Sequence, residues 1–466
     1  HAHCTGTKEG CAEGDCGACT VLVAELDAHG ELQLANVNSC TQFLPTLDGR
    51  ALLTVEDVGG PETLSPVQQA MVECHGSQCG FCTPGFVMSL THEYERHCAA
   101  GTRPDRQQLA DALAGNLCRC TGYRPILDAG QRMFELPPQR IDRAVLKQAL
   151  SAINEPPLHY AAPSALDARR QDRFDAPRHV AELARLYEAR PQARLLAGST
   201  DIGLWVNKQF KDVGDLIYVG RVQEMLALRD EGSQLHIGAA VPLEDAWGLL
   251  AQRVPALREL WLRFASPPVR RAGTLGGNIA NGSPIGDGAP ALMALGCELL
   301  LRRGSVTRQL ALEDFYLDYM KNALQPGEFI EAMRVQVPDA SWQVRGYKVS
   351  KRYDSDISAV CAGLAIRLEA GRVAEVRLAF GGMAATVRRA AQAEAALLNQ
   401  RYDEANLEAA IAALARDFTP LSDMRASAAY RARVAGNLLR RFWLETRADA
   451  PLSARKTSVF LHGSHA

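Results

Sequence analysis

The spacing of the cysteines constrains this chain more than any other feature. Cys11, Cys16 and Cys19 follow C-x4-C-x2-C in "EGCAEGDCGACTV", and Cys40 stands apart in "NVNSCTQFL". Three thiolates from one loop and a fourth from a separate segment is the plant-type 2Fe-2S spacing. A negatively charged cluster needs backbone N–H groups aimed inward, and Gly10, Gly14 and Gly17 allow that close approach and positive φ. Zinc also accepts four thiolates, usually as two C-x2-C pairs, and stays an alternative that the x4 spacer suits less well. Cys4 lies outside the pattern and reads as a bystander.

A second set follows. Cys79 and Cys82 lie in "GSQCGFCTPG", and Cys118 and Cys120 in "NLCRCTGYRP". Ser65 and Gln68 form a capping box with Pro66 at the first helical position, and Gly76 closes that helix. Thr83-Pro84 opens a second helix toward Gly101, a third spans roughly 105–115, and a fourth follows Pro125. Each cysteine turn lies between a helix-ending glycine and a helix-starting proline. The two turns can therefore meet at one end of a four-helix unit and offer four thiolates to one cluster, zinc again being the alternative. Cys74 and Cys98 fall within helices and read as ordinary buried thiols.

Composition narrows the partners. Lys and Arg number 51 against 53 Asp and Glu, a net charge of -2, so no basic excess favours nucleic acid or an anionic membrane. No apolar run approaches the roughly 20 residues of a membrane span. No signal-like segment precedes Cys4, and clustered cysteines among 13 in a reducing compartment suit metal better than disulfides. The expectation is a cytoplasmic chain.

Beyond a proline-containing linker with little periodicity after Ile153, a helix "HVAELARLYEA" and a strand "ARLLAG" open a new domain. The strand runs into Gly198-Ser199-Thr200-Asp201, a turn able to hold a diphosphate through backbone donors. A second loop, "GTLGGNIANGSPIGD", removes Cβ atoms at Gly276 and Gly277 where phosphate must approach. With no G-x-G-x-x-G and no Walker lysine, neither a Rossmann site nor a P-loop is indicated.

"GTKEGCAEGDCGACTV", "GSQCGFCTPGFVMS" and "NLCRCTGYRPI" closely resemble the iron–sulfur half of the xanthine dehydrogenase and aldehyde oxidase family, the molybdenum hydroxylases. "FASPPVRRAGTLGGNIANGSPIGDGAPALMALG" and "DFTPLSDMRASAAYR" resemble the flavin half of bacterial members. The resemblance implies an α+β multidomain fold. It would comprise a ferredoxin-like β-grasp 2Fe-2S domain over 1–58, a four-helix 2Fe-2S domain over 59–136 and a linker over 137–172. A two-part FAD-binding domain like that of vanillyl-alcohol oxidase would follow over 173–340, with an α+β C-terminal cap over 341–447 and a tail over 448–466. Members usually carry a strand hairpin and a helix before the first loop, and a leucine where Cys4 stands. Here only "HAH" precedes it, so either the record is partial or the first strands are lacking.

Carried over by motif, the resemblance assigns Leu195, Leu196, Ala197, Gly198, Ser199, Thr200 and Asp201 to the FAD diphosphate and ribityl region. Thr274, Leu275, Gly276, Gly277 and Asn278 join them, and Phe264 stands against the flavin ring. By the same resemblance Asp287 and Lys348 would be further FAD contacts, and "SKRYDSDIS" resembles the loop that shapes nicotinamide access. On the residues alone, core packing is the lesser alternative for Phe264, and Asp287 and Lys348 could equally be solvated charges. The family further implies a molybdopterin-containing large subunit in a dimer of heterodimers. Electrons from hypoxanthine or xanthine would pass through the helical-domain cluster, then the ferredoxin-like cluster, to FAD and NAD+. No catalytic residue for the purine is expected in this chain. Another molybdenum hydroxylase acting on aldehydes or N-heterocycles, a free-standing iron–sulfur flavoprotein reductase, and a zinc-stapled interaction protein are the alternatives.

Overall fold

The computed structural model describes residues 4–60, 62–153, 156–164 and 166–457. The terminal "LHGSHA", expected as a tail with solvated histidines, lies outside them.

The first thiol loop leads into an antiparallel sheet of three strands, ordered Leu32–Asn38, Thr20–Leu26, Ala51–Leu53. Its register runs from Thr20 opposite Asn38 to Leu26 opposite Leu32, around the turn at His29-Gly30, where Gly30 has φ 73°. The central strand is apolar on both faces because both are covered. Leu22 and Ala24 join the core of the helical unit, while Val21, Val23 and Val37 pack against Leu47 of the same domain and Ala272 of the third.

Four helices follow: Pro66–Glu73, Thr83–Ala100, Arg106–Ala112 and Arg124–Arg132. Ser65 and Gln68 form the expected capping box, Asp105 and Gln108 form another, and Gly101 ends the long helix at φ 64°. Phe86, Met88, Leu90, Leu109, Ile126 and Met133 fill the core between them.

The stretch expected as a linker carries more order than its periodicity suggests. Asp142 caps a helix at Arg143–Ser151, and His159–Pro163 pairs antiparallel with Gln171–Asp175 as the edge of the next sheet. Arg140 reaches Glu95 at 2.9 Å, and Arg143 donates to the Leu32 carbonyl, so the segment is strapped onto both iron–sulfur units. Contacts supplied by distant elements ordered a segment whose own pattern is weak.

The third region holds two sheets. One orders His159–Pro163, Gln171–Asp175, Leu216–Tyr218 and Arg194–Leu196; the other has five strands, with Phe329–Gln336 between Glu298–Arg303 and Gln234–Gly238. Trp247, Phe315 and Phe329 anchor their shared core. The last region is an antiparallel sheet, Trp342–Val349, Val360–Glu369, Arg372–Gly381 and Arg388–Arg389, accompanied by the helices Ala391–Leu397, Glu404–Asp417 and Ala428–Thr446. The fold is α+β and multidomain, as expected. No helix among the described residues is long and apolar enough to cross a membrane.

Candidate iron–sulfur and flavin sites

In the first loop, Gly14 and Gly17 sit at φ 78° and 68°, and Ala12 shares that region at 57°. A Cβ at Gly10 would lie 3.0 Å from Cys16 Sγ, so the loop closes tightly over its own thiol. The Cys16 N–H stands 3.4 Å from Cys11 Sγ. Cys19 is buried, and its thiol is pulled down to about 7, first by the hydrogen bond it shares with Cys40, whose own thiol is pushed up by the same contact and by burial. The four cysteines thus associate as Cys11 with Cys16 and Cys19 with Cys40.

The second set repeats this two-by-two pattern. The free thiols of Cys82 and Cys118 lie close enough to influence each other, as do those of Cys79 and Cys120. Burial, then Cys118, pushes Cys82 up to about 12. Cys118 moves down, against the burial that would raise it, because the Thr121 hydroxyl and N–H donate to its sulfur at 3.2 and 3.5 Å. Cys79 and Cys120 are exposed, with Phe81 and Tyr123 exposed beside them.

Among the described residues, no three His, Cys, Asp or Glu side chains converge on a point that could hold one metal ion. Tetrahedral zinc needs four donors about 2.3 Å from one centre. Two bridged irons instead spread four thiolates over a wider unit. Two thiols on each of two neighbouring points is the donor arrangement that a diiron group uses. Cys4 is exposed, and Cys74 and Cys98 are half-buried at the ends of helices rather than buried inside them.

The two sets are in direct communication. The Leu117 N–H, one residue before Cys118, donates to the Cys16 carbonyl at 3.0 Å. Their domains meet through glycines: a Cβ at Gly85 would lie 2.1 Å from the Gly17 carbonyl, and one at Gly17 2.1 Å from that of Gly115. Asn116 binds Gly17 O, Thr20 Oγ1 and Ser89 Oγ across the same seam.

Eight of the carried-over flavin residues line two cavities, each bordered by the helix Leu275–Asn281, while Leu196, Gly198 to Asp201, Thr274 and Leu275 line neither. One, about 480 Å³, is lined by Leu195, Ala197, Gly276 and Gly277, together with Trp205 and Ile330. The other, about 330 Å³, is lined by Phe264, Asn278, Asp287 and Lys348. Glu13, Gly14 and Asp15 of the first thiol loop form part of its wall, with Ser355 to Ile357 on the far side.

Between the cavities the backbone is packed to contact. A Cβ at Gly198 would fall 1.9 Å from the Ala272 carbonyl, and one at Gly276 2.4 Å from Ala239 Cβ. Thr274 caps its helix by accepting from the Gly277 N–H at 3.0 Å. Ser199 holds φ 63°, and among the described residues neither its buried hydroxyl nor that of Ser266, beside the second cavity, has a hydrogen-bond partner. Thr200 lies against Gly273, and Asp201 is exposed at the start of its helix. Leu196 and Leu275 are buried in apolar clusters and serve as core. Gly198 and Gly276 are therefore required for packing against Ala272 and Ala239 rather than for ligand approach, and what fits a bound dinucleotide here is the pair of orphaned buried hydroxyls beside the cavities.

Asp287 and Lys348 are not solvated. Their ion pair of 2.5 Å is buried, with Ser358 donating to the same carboxylate and Lys348 also bonding the Asp356 carbonyl at 2.7 Å. Phe264 is both core and cavity wall, its ring 5.6 Å from that of Trp247. Sequence reasoning missed Trp205, Ile330 and the Glu13–Asp15 wall, because each reaches its cavity only through tertiary folding.

Comparison with known proteins agrees with this geometry. Residues 54–131 match a 2Fe-2S binding domain, 171–340 the FAD binding domain in molybdopterin dehydrogenase, and 345–446 the CO dehydrogenase flavoprotein C-terminal domain. These define an iron–sulfur flavoprotein. Xanthine dehydrogenase of Drosophila subobscura is 33% identical over 457 residues, covering 86% of this chain and 34% of that protein. Aldehyde oxidase 4 of Cavia porcellus is 30% identical over 460 residues, with 86% and 34% covered. A solved carbon monoxide dehydrogenase from Hydrogenophaga pseudoflava superposes with a TM-score of 0.55 at 29% identity, over 57% of this chain and 94% of that one. The chain belongs to the molybdenum hydroxylase family, as the portion that carries its iron–sulfur and FAD electron-transfer domains. It spans about a third of the length of the curated relatives it matches.

Proposed function

We propose that this chain is the electron-transfer part of an NAD+-dependent xanthine dehydrogenase. It would work with a molybdopterin-containing large subunit in a dimer of heterodimers. Cys11, Cys16, Cys19 and Cys40 would hold one 2Fe-2S cluster; Cys79, Cys82, Cys118 and Cys120 would hold the other. Leu195 to Asp201 and Thr274 to Asn278 would cradle the FAD diphosphate, with Phe264, Asp287 and Lys348 at the ring. When bound, iron–sulfur clusters carry electrons singly, and flavin collects a pair for delivery as hydride.

The observation that carries the reading is the shared wall. Glu13, Gly14 and Asp15 of the first thiol loop border the same cavity as Phe264, Asp287 and Lys348. The Cys16 carbonyl accepts from the N–H beside Cys118, and the second set opens to the surface at Cys79 and Cys120. These positions order the chain's own residues from a surface that a partner can reach to the cavity where the acceptor would be reduced. The buried Asp287–Lys348 pair fixes one side of that cavity, and the Ser355–Ile357 loop covers the other. Xanthine is favoured because several full-length relatives bear the name xanthine dehydrogenase. The CO dehydrogenase and quinoline oxidoreductase neighbours keep other substrates among the outcomes of the test.

Purification with the native partner, followed by metal analysis and a substrate screen, tests this. The expected result is co-purification with a molybdenum-containing polypeptide and NADH formation from xanthine. Turnover of aldehyde, quinoline or CO but not xanthine would shift the substrate assignment. Xanthine turnover by this chain alone would overturn the division of labour.

A further inference from the structure

The helix Ile202–Asn207 leaves the Gly198–Asp201 turn and runs against the segment that carries Cys40. Gly203 lets it approach: a Cβ there would lie 2.7 Å from the Thr41 carbonyl. At the last position of the helix, the Asn207 side-chain amide donates to the Cys40 carbonyl at 2.6 Å and to the Ala12 carbonyl at 3.2 Å. Those carbonyls belong to the two separate pieces of chain that supply the first four thiols. One side chain of the flavin domain therefore joins both halves of the thiol site across 167 and 195 residues of sequence.

We propose that Asn207 is a positioning residue for the first cluster: its amide holds the Cys40 segment and the Cys11–Cys19 loop at a fixed separation. The flavin domain thereby completes the iron–sulfur site. The proposal rests on reading Cys11, Cys16, Cys19 and Cys40 as cluster ligands. Only a donor can do this work, because both partners are carbonyl oxygens. An isosteric carboxylate would set negative charge against two acceptors and also against the thiolates. Loss of a residue supporting metal ligands typically weakens metal holding about 10- to 100-fold.

The test uses the full chain as purified, in wild-type form and as N207A, N207D and N207Q. Each is challenged with an iron chelator, and thiol alkylation is followed peptide by peptide. In N207A and N207D the four first-site cysteines should become alkylated about tenfold or more sooner than in wild type. N207D should be at least as fast as N207A, and N207Q, which keeps the donor, should return toward wild type. Cys79, Cys82, Cys118 and Cys120 should keep their wild-type rates. If N207D behaves as wild type, or both sets accelerate equally, the amide has no specific role and the proposal is overturned. Wild-type protein with zinc, or with about two irons all at the second site, would overturn the underlying ligand assignment, and the proposal with it.

Discussion

The two thiol sites use the same donors in the same two-by-two arrangement, yet they are built differently. The first is wrapped by a glycine-rich loop, closed by a residue from the flavin domain, and has Cys19 buried. The second sits on helix-flanking turns, with Cys79 and Cys120 exposed and two aromatic residues exposed nearby. Burial and hydrogen bonds to sulfur are what tune an iron–sulfur group, so identical ligand sets can occupy different electrical environments. The first site borders the cavity lined by Phe264, Asp287 and Lys348, and the second has two of its thiols at the surface.

The sharpest way to separate the sites is to remove one ligand from each. Cys19→Ser should cost about two irons per chain and stop electrons passing from the second site to flavin. Cys120→Ser should cost about the same iron but leave the first site, and NADH reduction of flavin, intact. Iron analysis with absorbance-monitored reduction checks both; equal loss of both clusters in either variant would show that the sites are not independent.

Next in size is the wall of the flavin cavity. Lys348→Ala leaves Asp287 buried without its partner, which costs about 4 kcal/mol by comparison with broken buried pairs. Flavin content after gel filtration should fall with it, whereas an unaltered melting temperature would mean that the pair relaxes into solvent.

The seam between the sites should also be sensitive. Gly85→Ala drives a Cβ to 2.1 Å from the Gly17 carbonyl, where backbone rather than a flexible side chain must yield. Overpacking of this kind costs about 3 kcal/mol. The expected readout is a lower melting temperature with faster proteolysis between the first two domains.

The smallest effect concerns the loop joining the second site to the flavin region. Burial, then Asp111, raises the Asp354 carboxyl to about 6, against the pull of Arg263, Arg270 and Lys348. A raised carboxyl destabilises the folded chain above about pH 6, and the cost disappears as pH falls below the ordinary carboxylate range. Asp354→Asn should therefore stabilise the protein at pH 7.5 by on the order of 1 kcal/mol after screening, and should not at pH 4. Melting curves at the two values check the sign.

Local chemistry was legible in the sequence. The Ser65–Gln68 box, the start at Thr83, the Gly101 stop and the strands on either side of Gly30 all lie where their residues direct them. The cysteine spacings give neighbours along the chain but not their pairing: Cys19 lies with Cys40, Cys82 with Cys118 and Cys79 with Cys120, each across separate segments. What escaped was non-local. Asp287 and Lys348 look like surface charges until the fold brings them together across a separation of 61 positions. Cys74 and Cys98 looked internal, yet both lie at helix ends where cover is thin. The helix at 143–151 and the strand at 159–163 are ordered by Glu95, Leu32 and a neighbouring strand, none of them adjacent in sequence. Asn207 carries no motif at all, and its role follows only from where its helix ends.

Metal analysis of the intact purified chain is the most direct test. Eight thiols holding two pairs of bridged irons predict about four irons, about four acid-labile sulfides and a brown protein that also releases FAD. A colourless protein containing zinc in place of iron would contradict the account at its base.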